Sequence, residues 1–142
     1  VGYPGETERD HDELLRFVED AQLDWCGFFA YSEEDGTYAA QLDGKVPPSL
    51  VNERLTELTE LQDSITAARR DELIGTSVDV LVDRPGIGRS HREAPEIDGV
   101  ILVAAAVAAG TFTTVDIVDA LGSDLIAAGA DLATVGDTLD GL

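Results

Sequence analysis

Two stretches of this sequence group residue types in patterns that can do chemistry. The first is Gly2-Tyr3-Pro4-Gly5-Glu6, a turn punctuated by Gly and Pro that separates Val1 from a helix-forming run. Val1 reads as the end of a β-strand, and the turn as the strand-to-helix step of a βα barrel. Active sites of such barrels sit at this end of their strands, so Gly2, Pro4, Gly5 and Glu6 are candidates for a ligand-binding wall. The second stretch is Glu93, Glu96 and Asp98, three acids around Pro95. On a hairpin stiffened by proline they make an acidic edge suited to Lys and Arg of a basic protein.

The other reactive side chains offer less. His11 falls at the exposed start of a helix and His91 in a charged loop. Neither has a Cys or His at metal-ligand spacing, and both read as surface histidines. Cys26 is the only cysteine, so an internal disulfide is excluded, and one thiol cannot hold an iron–sulfur cluster. Within Trp25-Cys26-Gly27-Phe28-Phe29-Ala30 it reads as a small buried hydrophobe. Glu33-Glu34-Asp35 lies in a polar loop with nothing apolar to raise a carboxyl pKa, which argues against general-acid work. No nucleophile elbow occurs.

The elements that place these residues follow from periodicity. Residues 8–22 read as an amphipathic helix with Leu14, Leu15, Val18 and Ala21 on one stripe. Thr7 is its capping residue, with Asp10 three positions on. Trp25 to Tyr31, apolar at nearly every position, reads as a parallel strand covered on both faces. Glu33 to Pro48 is a loop. Ser49 can cap a long helix that runs to about Ile74, with Val51, Leu55, Leu58, Leu61 and Ile65 as its apolar stripe. Arg69 and Arg70 favour the negative end of that helix, and Gly75 stops it.

From Gly75 the apolar period becomes two. Val78, Val80 and Val82 alternate, Arg84 to Gly88 turns, and Ile97 to Val103 is a second apolar run interrupted by Asp98-Gly99. Phe112, Val115, Ile117 and Val118 mark a further strand. Asp124 to Ala128 marks the last, joined to it by Leu121-Gly122-Ser123. Short strands this dense indicate a small closed β-barrel. The resulting division is 1–47, the end of an α/β barrel; 48–74, a connecting helix; 75–128, an all-β domain; and 129–142, a Gly-, Ala- and Asp-rich tail.

The chain has 142 residues with 29 acids against 9 bases, a net charge of −20. Both halves are acidic, and Arg84, Arg89 and Arg92 are the only bases after residue 72. Phosphate binding relies on Lys and Arg, so nucleic acid is disfavoured and a basic protein partner is favoured. With 44% hydrophobic residues the chain can bury a core. No apolar run approaches the length of a transmembrane helix.

Three stretches, in order, resemble one family. Val1 to Glu8 is similar to the fifth strand and turn of the radical SAM methylthiotransferases. Phe29 to Ala40 is similar to their sixth strand and following loop, and Gly88 to Gly99 to the centre of their C-terminal TRAM domain. Within the last, Ala94-Pro95-Glu96-Ile97-Asp98-Gly99 is most similar to the branch that modifies ribosomal protein twelve of the small subunit. The resemblance spans residues 1–128 and implies a fold that is α/β followed by all-β. That fold is a C-terminal fragment of a radical SAM TIM-like barrel plus a TRAM β-barrel.

The resemblance also implies a parent enzyme that adds a methylthio group to an aspartate β-carbon of that ribosomal protein in the cytoplasm. Its cofactors would be 4Fe-4S clusters and S-adenosylmethionine. Gly2, Pro4, Gly5, Phe29 and Tyr31 would line or support the S-adenosylmethionine pocket, and Glu93, Glu96 and Asp98 would dock the substrate. The family's cluster cysteines have no counterpart here, so this chain alone would hold no cofactor and be inactive. Two positions depart from the family pattern: Tyr38 stands where Pro is usual, and Thr111 where the usual Gly-Asp-Phe has Asp. A tRNA methylthiotransferase of the same family and a non-catalytic TRAM protein-binding module are the alternatives.

Overall fold

The computed structural model describes residues 1–95 and 97–131. The chain divides into two compact units, Val1–Thr66 and Ala67–Leu142. The tail assigned to 129–142 lies outside the described residues from 132 onward.

The first unit is built on two helices, α1 (Glu8–Ala21) and the greater part of α2 (Pro48–Asp71). The start of α1 follows directly from its sequence. Thr7 and Asp10 form a capping box, with the Asp10 N–H donating to Thr7 Oγ1 at 3.3 Å and the Thr7 N–H donating to Asp10 Oδ2 at 2.8 Å. Two of the helix's orphan donors are thereby satisfied. The helix ends at Gln22, whose left-handed φ of 47° turns its N–H back to the Val18 carbonyl. α2 begins one residue before the expected cap. Pro48 occupies the first helical position, where its missing N–H costs nothing, and the Pro47 carbonyl accepts from Leu50 and Val51. Ser49 is inside the helix, not its cap.

The core of this unit is Val18, Leu58 and Ile65, with Leu14, Leu15, Phe28 and Leu61 packed against it. The buried line of α2 runs Arg54, Leu58, Gln62, Ile65 rather than along an apolar stripe alone. Gln62 Nε2 donates to the Leu23 carbonyl at 2.8 Å and Thr66 Oγ1 to the Asp24 carbonyl at 2.9 Å. These bonds satisfy backbone acceptors just after α1, where no helix or sheet provides donors.

The expected strand Trp25–Tyr31 does not form. One pair of strand-like bonds is present: the Val1 ammonium donates to the Phe29 carbonyl at 2.9 Å, and the Tyr31 N–H to the Val1 carbonyl at 2.7 Å. That is the pattern of a single parallel bridge. A strand needs a neighbour along its length, and Val1 supplies one residue of it. Residues 1–66 therefore hold no sheet, and the described residues form no radical SAM barrel. A single turn of 3-10 helix, Ala39–Gln41, punctuates the following loop.

The second unit is a closed barrel of β1 (Ser77–Arg84), β2 (Ile87–Arg89), β3 (Ile101–Leu102), β4 (Phe112–Leu121) and β5 (Asp124–Ala127). Its spatial order is β1-β2-β3-β5-β4. All neighbours are antiparallel except β3 and β5, which pair in parallel. Val80, Val82, Ile101, Val103, Ile117, Leu125 and Ala127 form its main core. The period-two reading of β1 holds, with Val80 and Val82 fully buried. Register shifts at Val82/Arg84 and Ile117/Asp119 bend β1 and β4 round the barrel. The second shift leaves Val118 at 52% exposure although it is apolar. Asp98-Gly99 does turn the chain. A Cβ at Gly99 would collide with the Ser123 carbonyl oxygen, so only glycine fits.

Candidate functional site

The Gly2–Gly5 turn sits at a cleft of about 390 Å³ within the first unit. Of the residues that the resemblance assigns to an S-adenosylmethionine wall, Gly2, Pro4 and Tyr31 line this cleft, and Gly5 and Phe29 do not. Gly5 is exposed, and its N–H donates to the Gly44 carbonyl at 2.9 Å. Phe29 is 81% exposed, because the strand that would have oriented it is not formed. Lys45, Val51 and Asn52 are also among the lining residues, from the loop and the first turns of α2. Lys45 Nζ is 2.6 Å from Glu33 Oε2, so this cation is held at the rim by its own carboxylate. Tyr3 and Tyr31 meet edge to face, with ring centroids 5.4 Å apart. The cleft is apolar with an aromatic side, which fits one face of an adenosyl group.

Behind the turn lies a charged cluster that periodicity did not reveal. Arg54 exposes 3% of its side chain and donates from Nη1 to Glu6 Oε1 at 2.6 Å and from Nη2 to Glu8 Oε1. The other Glu6 oxygen accepts the Gly2 N–H at 2.7 Å. Burial opposes the Glu6 charge, but the Gly2 N–H and the Arg54 guanidinium outweigh it and hold its pKa below the ordinary value. Burial likewise opposes the charge on Arg54, and its hydrogen bonds to Glu8 and Glu6 raise its pKa in spite of it. The sequence signal was the phase of Arg54, four residues before Leu58 on the buried line of α2.

His11, expected at the surface, is 5% exposed. It lies seven residues before Val18 on the inward stripe of α1, and its Nε2 pairs with Glu57 Oε2 at 2.8 Å. His91 is exposed and Cys26 half-buried. Among the described residues no group of three His, Cys, Asp or Glu is arranged to hold a metal ion. With a single thiol in the chain, a 4Fe-4S cluster does not fit the residues present.

The acids assigned to substrate docking lie in the 90–100 loop of the barrel. Glu93 is only 6% exposed, and its Oε2 accepts the Ser90 N–H at 2.8 Å and the Ser90 hydroxyl at 2.7 Å. Its carboxylate therefore braces the loop. Asp98 is half-buried, with Oδ2 accepting the Ala94 N–H at 2.8 Å. Glu96 lies outside the described residues. A groove of about 590 Å³ adjoins this loop, with Asp83, Asp98, Ile87 and Ile97 among its walls. Ile97 is 83% exposed there. The sequence reads Ile97 as the start of an apolar run and as part of the Ala94–Gly99 motif, with no exposed surface role.

No helix among the described residues is long and apolar enough to cross a membrane. The barrel coincides with a family match: residues 74–129 fit the TRAM domain. Over most of its length the chain is similar to proteins named ribosomal protein uS12 methylthiotransferase RimO. That of Moorella thermoacetica is 50% identical over 103 residues, covering 72% of this chain and 24% of the relative. That of Salinispora tropica is 42% identical over 149 residues, covering 98% of this chain and 29% of the relative. That of Methylobacillus flagellatus is 44% identical over 134 residues, covering 90% and 30%. The chain thus spans between about a quarter and a third of the length of these relatives. It is RimO-like, with a TRAM domain at residues 74–129.

Proposed function

We propose that this chain serves a methylthiotransferase acting on ribosomal protein uS12, in which it supplies the TRAM domain and one wall of the S-adenosylmethionine site. The observation that carries the reading is 42% identity across 98% of the chain to the Salinispora tropica RimO protein. The net charge of −20 supports a basic protein substrate over a nucleic acid. Gly2, Pro4 and Tyr31 would flank bound S-adenosylmethionine, an assignment supported by their place around one cleft. Bound S-adenosylmethionine and 4Fe-4S clusters would supply the radical and sulfur chemistry, the clusters being held by residues outside this chain. This chain's residues bind and orient. Alone it is therefore expected to be inactive. The cytoplasm, where ribosomes are found, would be its place of work.

The test is the mass of uS12. Protein isolated from the source strain should carry a methylthio group on an aspartate, and a strain in which the sequence encoding this chain is deleted should lose it. An unchanged uS12 mass on deletion overturns the proposal.

A further inference from the structure

We infer that Arg54 is a positioning residue for the Gly2–Gly5 turn, which it holds in its ligand-binding shape through Glu6; the inference rests on the turn's proposed role as an S-adenosylmethionine wall. The turn is tied at its ends by the Val1 bonds to Phe29 and Tyr31 and by the Gly5 N–H to the Gly44 carbonyl. Gly2 takes a φ of +87°, and a Cβ there would lie 2.6 Å from Val51 Cγ2, so the backbone is pressed directly on α2. Within the turn, the Glu6 N–H donates to the Tyr3 carbonyl at 2.9 Å. Gly2 itself is tied by the Glu6 carboxylate, which accepts its N–H at 2.7 Å.

That carboxylate is set in place by Arg54. The guanidinium is planar and presents donors on two sides, so Nη1 binds Glu6 while Nη2 binds Glu8 on the first turn of α1. Arg54 stands three residues after Val51 on α2, so one helix presses on the turn and also anchors its carboxylate. Gly2 and Pro4 are cleft-lining residues, so a shift of Gly2 moves the cleft wall. Lys cannot satisfy both carboxylates with this geometry, because its ammonium is a point charge on a flexible stem.

The experiment compares Arg54→Met, Arg54→Lys and Glu6→Gln in the natural protein that contains this chain, purified without oxygen. Two quantities are read: hydrogen exchange at the Gly2–Glu6 segment, and the Kd for S-adenosylmethionine by equilibrium dialysis. Glu6→Gln preserves side-chain volume and carries the test if Arg54→Met fails to fold. Both should speed exchange at the turn and raise the Kd about tenfold, the scale of one lost charge-assisted hydrogen bond. Arg54→Lys should recover part of both losses, and exchange at Val80 and Val82 in the barrel should not change. Unchanged exchange at the turn overturns the inference whatever the Kd does. Faster exchange with an unchanged Kd retains the clamp and overturns the reading of the turn as an S-adenosylmethionine wall.

Discussion

Arg54, Glu93 and His11 expose no more than 6% of their surface, yet none is apolar. Each is tolerated because a partner meets it. Arg54 finds Glu6 and Glu8, more than forty residues away in sequence. Glu93 finds Ser90, three residues away. The contrast explains what could be read in advance. The Thr7–Asp10 box was legible, because both partners lie within one helical turn of each other. The burial of Arg54 and His11 was not, because it depends on how α1 and α2 come together. For Glu93 the partner was near, but the acid's charge suggested a surface role. Its two bonds to Ser90 make it a loop brace, so Glu93→Ala should destabilise the barrel by about 2 kcal/mol in chemical denaturation. If Glu93 gripped substrate instead, the same change would weaken uS12 binding with no loss of stability.

At the level of elements, α1 and β1 were legible for a common reason: a repeating pattern dictates each, and each buries the face its pattern presents. The segment Trp25–Tyr31 failed the same test. Its apolar content fits a strand, but content does not provide hydrogen-bond partners, and among the described residues Val1 is the one that pairs with it strand-fashion. The cap of α1 adds a pH dependence. Hydrogen bonds from the Thr7 hydroxyl and then the Thr7 N–H hold the Asp10 pKa below its ordinary value. A lowered folded-state pKa stabilises above the unfolded value, and the benefit is lost as pH falls through the folded one. Thr7→Ala should therefore lower the helix signal in circular dichroism at neutral pH. The difference from the unsubstituted chain should shrink as the solution is acidified below the ordinary Asp range.

For the whole molecule, a small closed barrel was legible from the density of its short apolar runs, and the pair of strands that closes it was not. Closure depends on β3 and β5, whose register is Ile101 to Leu125 and Leu102 to Ile126. Neither pairing leaves a mark in sequence, since the two segments are apolar for burial as much as for pairing. The short β3 had been read as one run from Ile97 to Val103. Gly99 and the turn before it reserve only two of those residues for the ladder.

That parallel seam has a kinetic consequence. β4 and β5 are joined by a tight hairpin at Gly122-Ser123, and β1 and β2 by one at Pro85-Gly86, so both pairs can zip locally. A parallel pair cannot be made by a hairpin. β3 and β5 pair across the intervening length of chain, as Ile101 with Leu125, which places the seam after the two hairpins on the folding route. Leu102→Ala should accordingly steepen the escape from the native state and leave the refolding limb of the chevron nearly in place, as seen by stopped-flow fluorescence or circular dichroism. A refolding rate that fell in step with stability would instead put the seam in the nucleus. On that route, pairing through the two residues of β3 bears on the barrel's lifetime more than on its speed of assembly.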